Sequence, residues 1–139
     1  MLVVGGGARE HAICDAVKRS RDSLLFSVMS NLNPGIQNIC EGFLQAKETD
    51  IDNVVDFAIK KNIDIAIIGP EAPLEKGIVN VLNKNGIDTC SPNKEAACIE
   101  TDKEWMRSLL SKHNVPGQLK FESFNNVKKT KSFIEDLDC

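Results

Sequence analysis

Three short segments hold the residues best suited to chemistry. The first is Gly5-Gly6-Gly7-Ala8-Arg9-Glu10-His11, entered from the apolar run Leu2-Val3-Val4 and followed by a helical pattern. Glycines allow backbone amides to approach a ligand closely, and a helix N-terminus at the same point favours an anion such as phosphate. The planar guanidinium of Arg9 matches phosphate oxygens in pairs. The second segment is Asn33-Pro34-Gly35, and the third is Gly69-Pro70-Glu71-Ala72-Pro73. In the third, the Glu71 carboxylate is placed to accept hydrogen bonds from sugar hydroxyls. Together they point to a small molecule that carries phosphate on a sugar.

The elements that must position these loops follow from periodicity. Strands are expected at 2–5, 24–29, 42–46, 64–68 and 87–90. Helices are expected from Ala8 to about Ser20, with Ala12, Ile13, Ala16 and Val17 on one face, and from Ile51, capped by Thr49 or Asp50. In the latter, Ile51, Val54, Val55, Ala58 and Ile59 form a core-facing stripe. Asn31 to Gly35 reads as a loop, and Pro70 and Pro73 argue against a helix through that turn. Leu74 to Asn85 reads as one helix stopped by Gly86. A helical stretch from Asn93 to about Lys112, broken near Thr101-Asp102, a strand at 118–124 and a helix at 126–137 complete the pattern. Strands and helices alternate to about residue 90, which predicts an α/β fold with a doubly wound parallel sheet. In such sheets ligands bind at the carboxyl ends of the strands, where all three segments fall.

Composition narrows the functional classes. The 139 residues suit one compact domain, and 42% hydrophobic content is enough for a core. A net charge of -3, six Phe, one Trp and no Tyr argue against a nucleic-acid surface or base-stacking platform. No segment is apolar enough to cross a membrane, and a first strand at Leu2 is expected to leave no signal peptide ahead of the fold. The five cysteines, Cys14, Cys40, Cys90, Cys98 and Cys139, lack metal or disulfide spacing and read as reduced thiols of a cytoplasmic protein. Trp105 and Met106 read as helix-packing residues.

The glycine loop approximates the dinucleotide fingerprint but departs from it. Gly5 and Gly7 match the first two glycines, whereas Glu10 holds the third position, where a side chain would crowd the helix against the strand. The second strand ends in Met29-Ser30-Asn31 without the acid that a nicotinamide ribose requires. A Rossmann-type oxidoreductase is therefore disfavoured. A scaffolding role leaves the clustered loops unexplained.

Taken together, Gly5-Gly6-Gly7-Ala8-Arg9-Glu10-His11-Ala12, Asn33-Pro34-Gly35 and Gly69-Pro70-Glu71-Ala72-Pro73-Leu74 followed by Gly77-Ile78-Val79 resemble the phosphoribosylamine–glycine ligases. The resemblance continues through Ser91-Pro92, Ala96-Ala97, Ile99-Glu100 and Lys103 to His113-Asn114-Val115-Pro116. It implies an ATP-grasp ligase of purine biosynthesis that joins glycine to 5-phosphoribosylamine through an acyl phosphate. Magnesium or manganese would neutralise the ATP phosphates. It also implies that Gly5, Gly6, Gly7 and Arg9 contact the phosphoribosyl group and that Glu71 holds the ribose hydroxyls. Glu10 and His11 would orient the loop, Asn33, Pro34 and Gly35 would border the cleft, and Lys103 would reach an ATP phosphate. Ala8 departs from the family pattern, in which glycines run directly into Arg-Glu-His. On this reading residues 1–100 form the pre-ATP-grasp domain, and 101–139 form a linker helix and the truncated start of the ATP-grasp domain. The ATP lid, the metal-binding carboxylates and the C-terminal domain would be missing in cis. The chain alone would then be inactive and bind no cofactor tightly. A freestanding ribonucleotide-binding module is the alternative.

Overall fold

The computed structural model describes residues 1–20 and 23–137; Cys139 lies outside them. Met1–Thr101 forms one compact unit and the residues from Asp102 onward form a second. The first unit runs β1 (Leu2–Val4), α1 (Ala8–Arg19), β2 (Phe26–Met29), α2 (Pro34–Ile39), β3 (Gly42–Gln45), α3 (Ile51–Lys60), β4 (Ile65–Ile68), α4 (Glu71–Glu75), α5 (Ile78–Lys84), β5 (Asp88–Thr89) and α6 (Lys94–Thr101). All five strands are parallel, in the order β3-β2-β1-β4-β5. The sheet therefore changes winding direction at β1. The crevice such a switch creates lies between the loops that follow β1 and β4.

Two apolar clusters hold the helices to the two faces. Leu2 and Val4 join Val28, Ala66 and Ile68 in one, under Val54, Val55 and Ala58 of α3 and Ile78, Val79 and Leu82 of α5. Val3 and Met29 join the other, with Cys14 of α1 and Ile36 of α2. Burial of both faces explains why β1 and β4 read as unbroken apolar runs. Cys14 serves as a packing group, and burial pushes its thiol up to about 12.

Several local expectations change. Asn31 to Gly35 is not wholly loop, because Asn33 caps a six-residue helix with Pro34 in its first turn. The prolines of the third segment do not exclude a helix either. Pro70 is the N-cap and Pro73 lies in the first turn of α4, where no intrahelical N–H is needed. Gly77, at φ 82°, separates α4 from α5, so Leu74 to Asn85 is two helices. The buried side of α1 runs through Glu10, Ile13, Cys14 and Val17, while Ala12 and Ala16 face outward. Ile59 is 50% exposed and leaves the core stripe of α3.

The second unit contains α7 (Lys103–Lys112), capped by Asp102, and α8 (Val127–Glu135), capped by Asn126. Residues 118–124 form no strand. Neither helix has a fully buried residue, and Trp105, read above as a packing residue, is 42% exposed.

Leu82→Ala empties a fully buried position and is expected to cost about 2–5 kcal/mol in urea denaturation. Ile59→Ala, on the exposed side of α3, is expected to change stability by less than about 0.5 kcal/mol. Equal losses would contradict the assigned packing.

Candidate functional site

The loops after β1, β2 and β4 meet at the carboxyl end of the sheet, and specific contacts join them. Asn33 does two jobs. Its Oδ1 accepts from the amides of Gly35 and Ile36 at 3.0 and 3.3 Å, starting α2. Its Nδ2 donates to the Gly6 carbonyl at 3.0 Å, tying the second loop to the first. The imidazole of His11 occupies the space over Gly35, where a methyl group would overlap the ring. Its Nε2 lies 3.8 Å from Asp15 on the next turn.

Glu10 is the centre of the arrangement. Its side chain is buried, and its Oε2 accepts from the Gly7 amide at 2.8 Å. That amide is the N-cap donor of α1, so the carboxylate sits at the positive end of the helix. A Cβ at Gly5 would stand 2.6 Å from Glu10 Cγ, and one at Gly7 2.7 Å from Oε2. A Cβ at Gly69 would overlap the carboxyl group itself. The expected crowding at this position is real, and it is absorbed by glycine on both loops. At Gly6 the constraint is different: a Cβ would meet the Asn31 carbonyl oxygen at 2.7 Å.

The glycine amides are not equally available. Gly5 donates to the Val28 carbonyl at 2.8 Å, extending the sheet, and Gly7 donates to Glu10. Gly6 is the glycine amide of this loop with no acceptor among the described residues. The first-turn amides of Ala8 and Arg9 have no intrahelical acceptor by construction. An anion at this helix end is thus offered Gly6, Ala8 and Arg9 amides, with Gly5 and Gly7 shaping the turn.

Arg9 spans the crevice. Its Nη1 donates to the Gly69 carbonyl at 2.6 Å, and its two terminal nitrogens lie 3.5 and 3.4 Å from Glu71 Oε1. The two side chains are 62% and 46% exposed. Glu71 opens α4, and its own backbone N–H is the main cause holding its carboxyl below the usual glutamate range; Arg9 adds to this.

Other contacts hold the rim. Glu48 Oε1 accepts from the amide and hydroxyl of Ser30 at 2.9 and 3.0 Å, so an acid does reach the end of β2, from the loop after β3. The Ser91 hydroxyl donates to the Ile68 carbonyl at 3.1 Å and accepts from the Ile68 amide at 2.8 Å, fixing the strand that delivers Gly69. Periodicity gave no signal for Glu48 or Ser91, because each acts through a long-range polar contact. Lys103 is the first residue of α7 in the second unit. There it lines a cavity of about 230 Å³ with Arg107 and Phe121. Among the described residues no group of three or more His, Cys, Asp or Glu could hold a metal ion, so no step is assigned to a metal here. No described helix is long and apolar enough to cross a membrane.

Gly69 is not at positive φ, and the nearest atoms to an added Cβ all belong to Glu10. Gly69→Ala is therefore expected to lose about 1–3 kcal/mol by overpacking. In a Glu10→Ala background the loss should shrink, giving a coupling of about 0.5–3 kcal/mol in a double-mutant cycle. Strict additivity would refute the packing. In an NMR titration the Glu71 carboxyl should have its midpoint below that of an ordinary glutamate. Arg9→Gln should raise the midpoint only part of the way, since the backbone donor remains. The ionised form of Glu71 is favoured in the fold, so any stability it adds is present above the ordinary glutamate range. It is lost as pH falls through the lowered midpoint.

Phosphoribosylamine–glycine ligase of Thermococcus kodakarensis is 47% identical over 137 residues, and that of Methanobrevibacter smithii 51% over 138. Each match covers 99% of this chain and 31% of the relative, so the chain spans about a third of their length. Phosphoribosylglycinamide synthetase from Anaerococcus prevotii shares the fold at a TM-score of 0.66 and 19% identity, over 99% of this chain and 34% of that one. N5-carboxyaminoimidazole ribonucleotide synthetase from Thermotoga maritima does so at 0.72 and 14%, over 95% of this chain and 35% of that one. The profile of the phosphoribosylglycinamide synthetase N domain matches residues 1–100, the stretch that carries all three loops, and the chain belongs to that family.

Proposed function

We propose that this chain is the portion of a phosphoribosylamine–glycine ligase that holds the phosphoribosyl substrate. In the whole protein, the γ-phosphate of ATP passes to the glycine carboxylate. The amine of 5-phosphoribosylamine attacks the resulting acyl phosphate, releasing phosphate and forming glycinamide ribonucleotide. The protein is cytoplasmic on this reading, with glycine, 5-phosphoribosylamine and ATP as its small-molecule partners. The rest of the ATP-grasp and C-terminal domains would supply the sites for magnesium or manganese and most of the ATP contacts.

The observation that carries the reading is the meeting of the three loops at the switch point. Arg9, in the first turn of α1, reaches across to the Gly69 carbonyl and to the Glu71 carboxylate at the start of α4. The Gly6 amide, the first-turn amides and the Arg9 guanidinium would take the phosphate, with Gly5 and Gly7 shaping the turn. Glu71 would accept from the ribose hydroxyls. Glu10 and His11 would keep the loop in register through their contacts with the glycines and Gly35, and Asn33, Pro34 and Gly35 would border the crevice. Lys103 would contribute to an ATP phosphate.

Calorimetric titration of this polypeptide with glycinamide ribonucleotide, ribose 5-phosphate and ATP tests the assignment. The two ribose phosphates should bind more tightly than ATP. Arg9→Ala should weaken them roughly tenfold or more, as expected for loss of a hydrogen bond to a charged group. Preferential ATP binding, or indifference to Arg9→Ala, would overturn it.

A further inference from the structure

We propose that the Arg9–Glu71 pair makes the crevice select against bare phosphate monoesters, admitting phosphate only when its carrier also offers hydroxyls to Glu71. The inference rests on the phosphoribosyl reading above and concerns how that site chooses among anions.

The crevice does not present a free cation to an anion. Arg9 already donates to the Gly69 carbonyl at 2.6 Å and lies 3.4 Å from the Glu71 carboxylate. A phosphate that takes the guanidinium must displace Glu71. The carboxylate is then left without its cation, facing an incoming negative charge. Like charges at such range oppose binding. The cost is repaid if the same molecule donates hydrogen bonds to Glu71, since hydroxyls aimed at a carboxylate replace the lost guanidinium donors. A sugar phosphate does this; a simple alkyl phosphate does not. Both side chains are exposed enough to exchange partners without unpacking the core. The buried anchor is Glu10, which holds the glycine loops while the pair opens.

Methyl phosphate and ribose 5-phosphate carry the same monoester group and differ in the hydroxyls, so they are the probes. Their affinities for this polypeptide are read from the amide shifts of Gly6 and Ala8 in NMR titrations of wild type, Glu71→Gln and Arg9→Gln. Wild type should prefer ribose 5-phosphate. Glu71→Gln should tighten methyl phosphate about fivefold, in the range of an exposed ion pair, with no matching gain for ribose 5-phosphate. Arg9→Gln should weaken both. If Glu71→Gln disturbs the start of α4, Glu71→Ala carries the same test, with a gain of similar size for methyl phosphate. An unchanged or weaker methyl phosphate affinity in Glu71→Gln, or equal gains for both ligands, overturns the selection while Arg9→Gln still weakens both. If Arg9→Gln weakens neither ligand, or neither binds any variant, the phosphoribosyl reading itself falls, and the selection with it.

Discussion

A buried carboxylate needs donors and room, and the carboxyl end of this sheet is arranged to give Glu10 both. Its charge is met by the N-cap amide of the helix it belongs to, which costs no extra side chain. Its bulk is accommodated by glycines on two separate loops, Gly5 and Gly7 after β1 and Gly69 after β4. The carboxylate thereby acts as a spacer. It fixes how closely the β4 loop may approach the start of α1, and so where Arg9 meets the Gly69 carbonyl and Glu71. Glycine is required here less for freedom of φ than for absence of volume; of the three, Gly5 alone lies at positive φ.

The same end of the sheet is closed on its other side by a different chemistry. Asn33 combines helix capping with a clasp on the Gly6 carbonyl, and the His11 ring fills the space over Gly35. These contacts hold α1 and α2 together over the smaller apolar cluster of Cys14, Met29 and Ile36. The larger cluster lies beneath α3 and α5 and holds most of the buried apolar residues.

Much of the architecture was readable from the order of residues alone. The apolar runs of β1 and β4 and the spacing of Val54, Val55 and Ala58 specify buried elements without reference to partners. What escaped has physical reasons. The six residues of α2 are too few to display a 3.6-residue period, and its cap and proline also describe a turn. The prolines near Glu71 read as breakers because a first-turn proline and an interior one look alike in a string. On α1 the alanines Ala12 and Ala16 mimic a core stripe, whereas Glu10 and Cys14 are the buried residues. A carboxylate on a buried stripe makes sense only once the facing glycines are known. The three site segments were legible as a cluster, because strand ends in a parallel sheet share one side. The pairing of Arg9 with Glu71, 62 residues apart, was not. Nor were the separate fates of the Gly5, Gly6 and Gly7 amides, which depend on register with β2.

The Ser91 hydroxyl has a consequence for how the molecule behaves among its own copies. β5 is only two residues long, and beyond it the last rung of β4 would present an open peptide group to solvent. By engaging both the N–H and the C=O of Ile68, one side chain completes that rung where a neighbouring strand is missing. A sheet finished in this way gives a stray extended chain nothing to zip onto at this corner, so crowding and partial unfolding elsewhere are less apt to propagate into fibrous assembly from here.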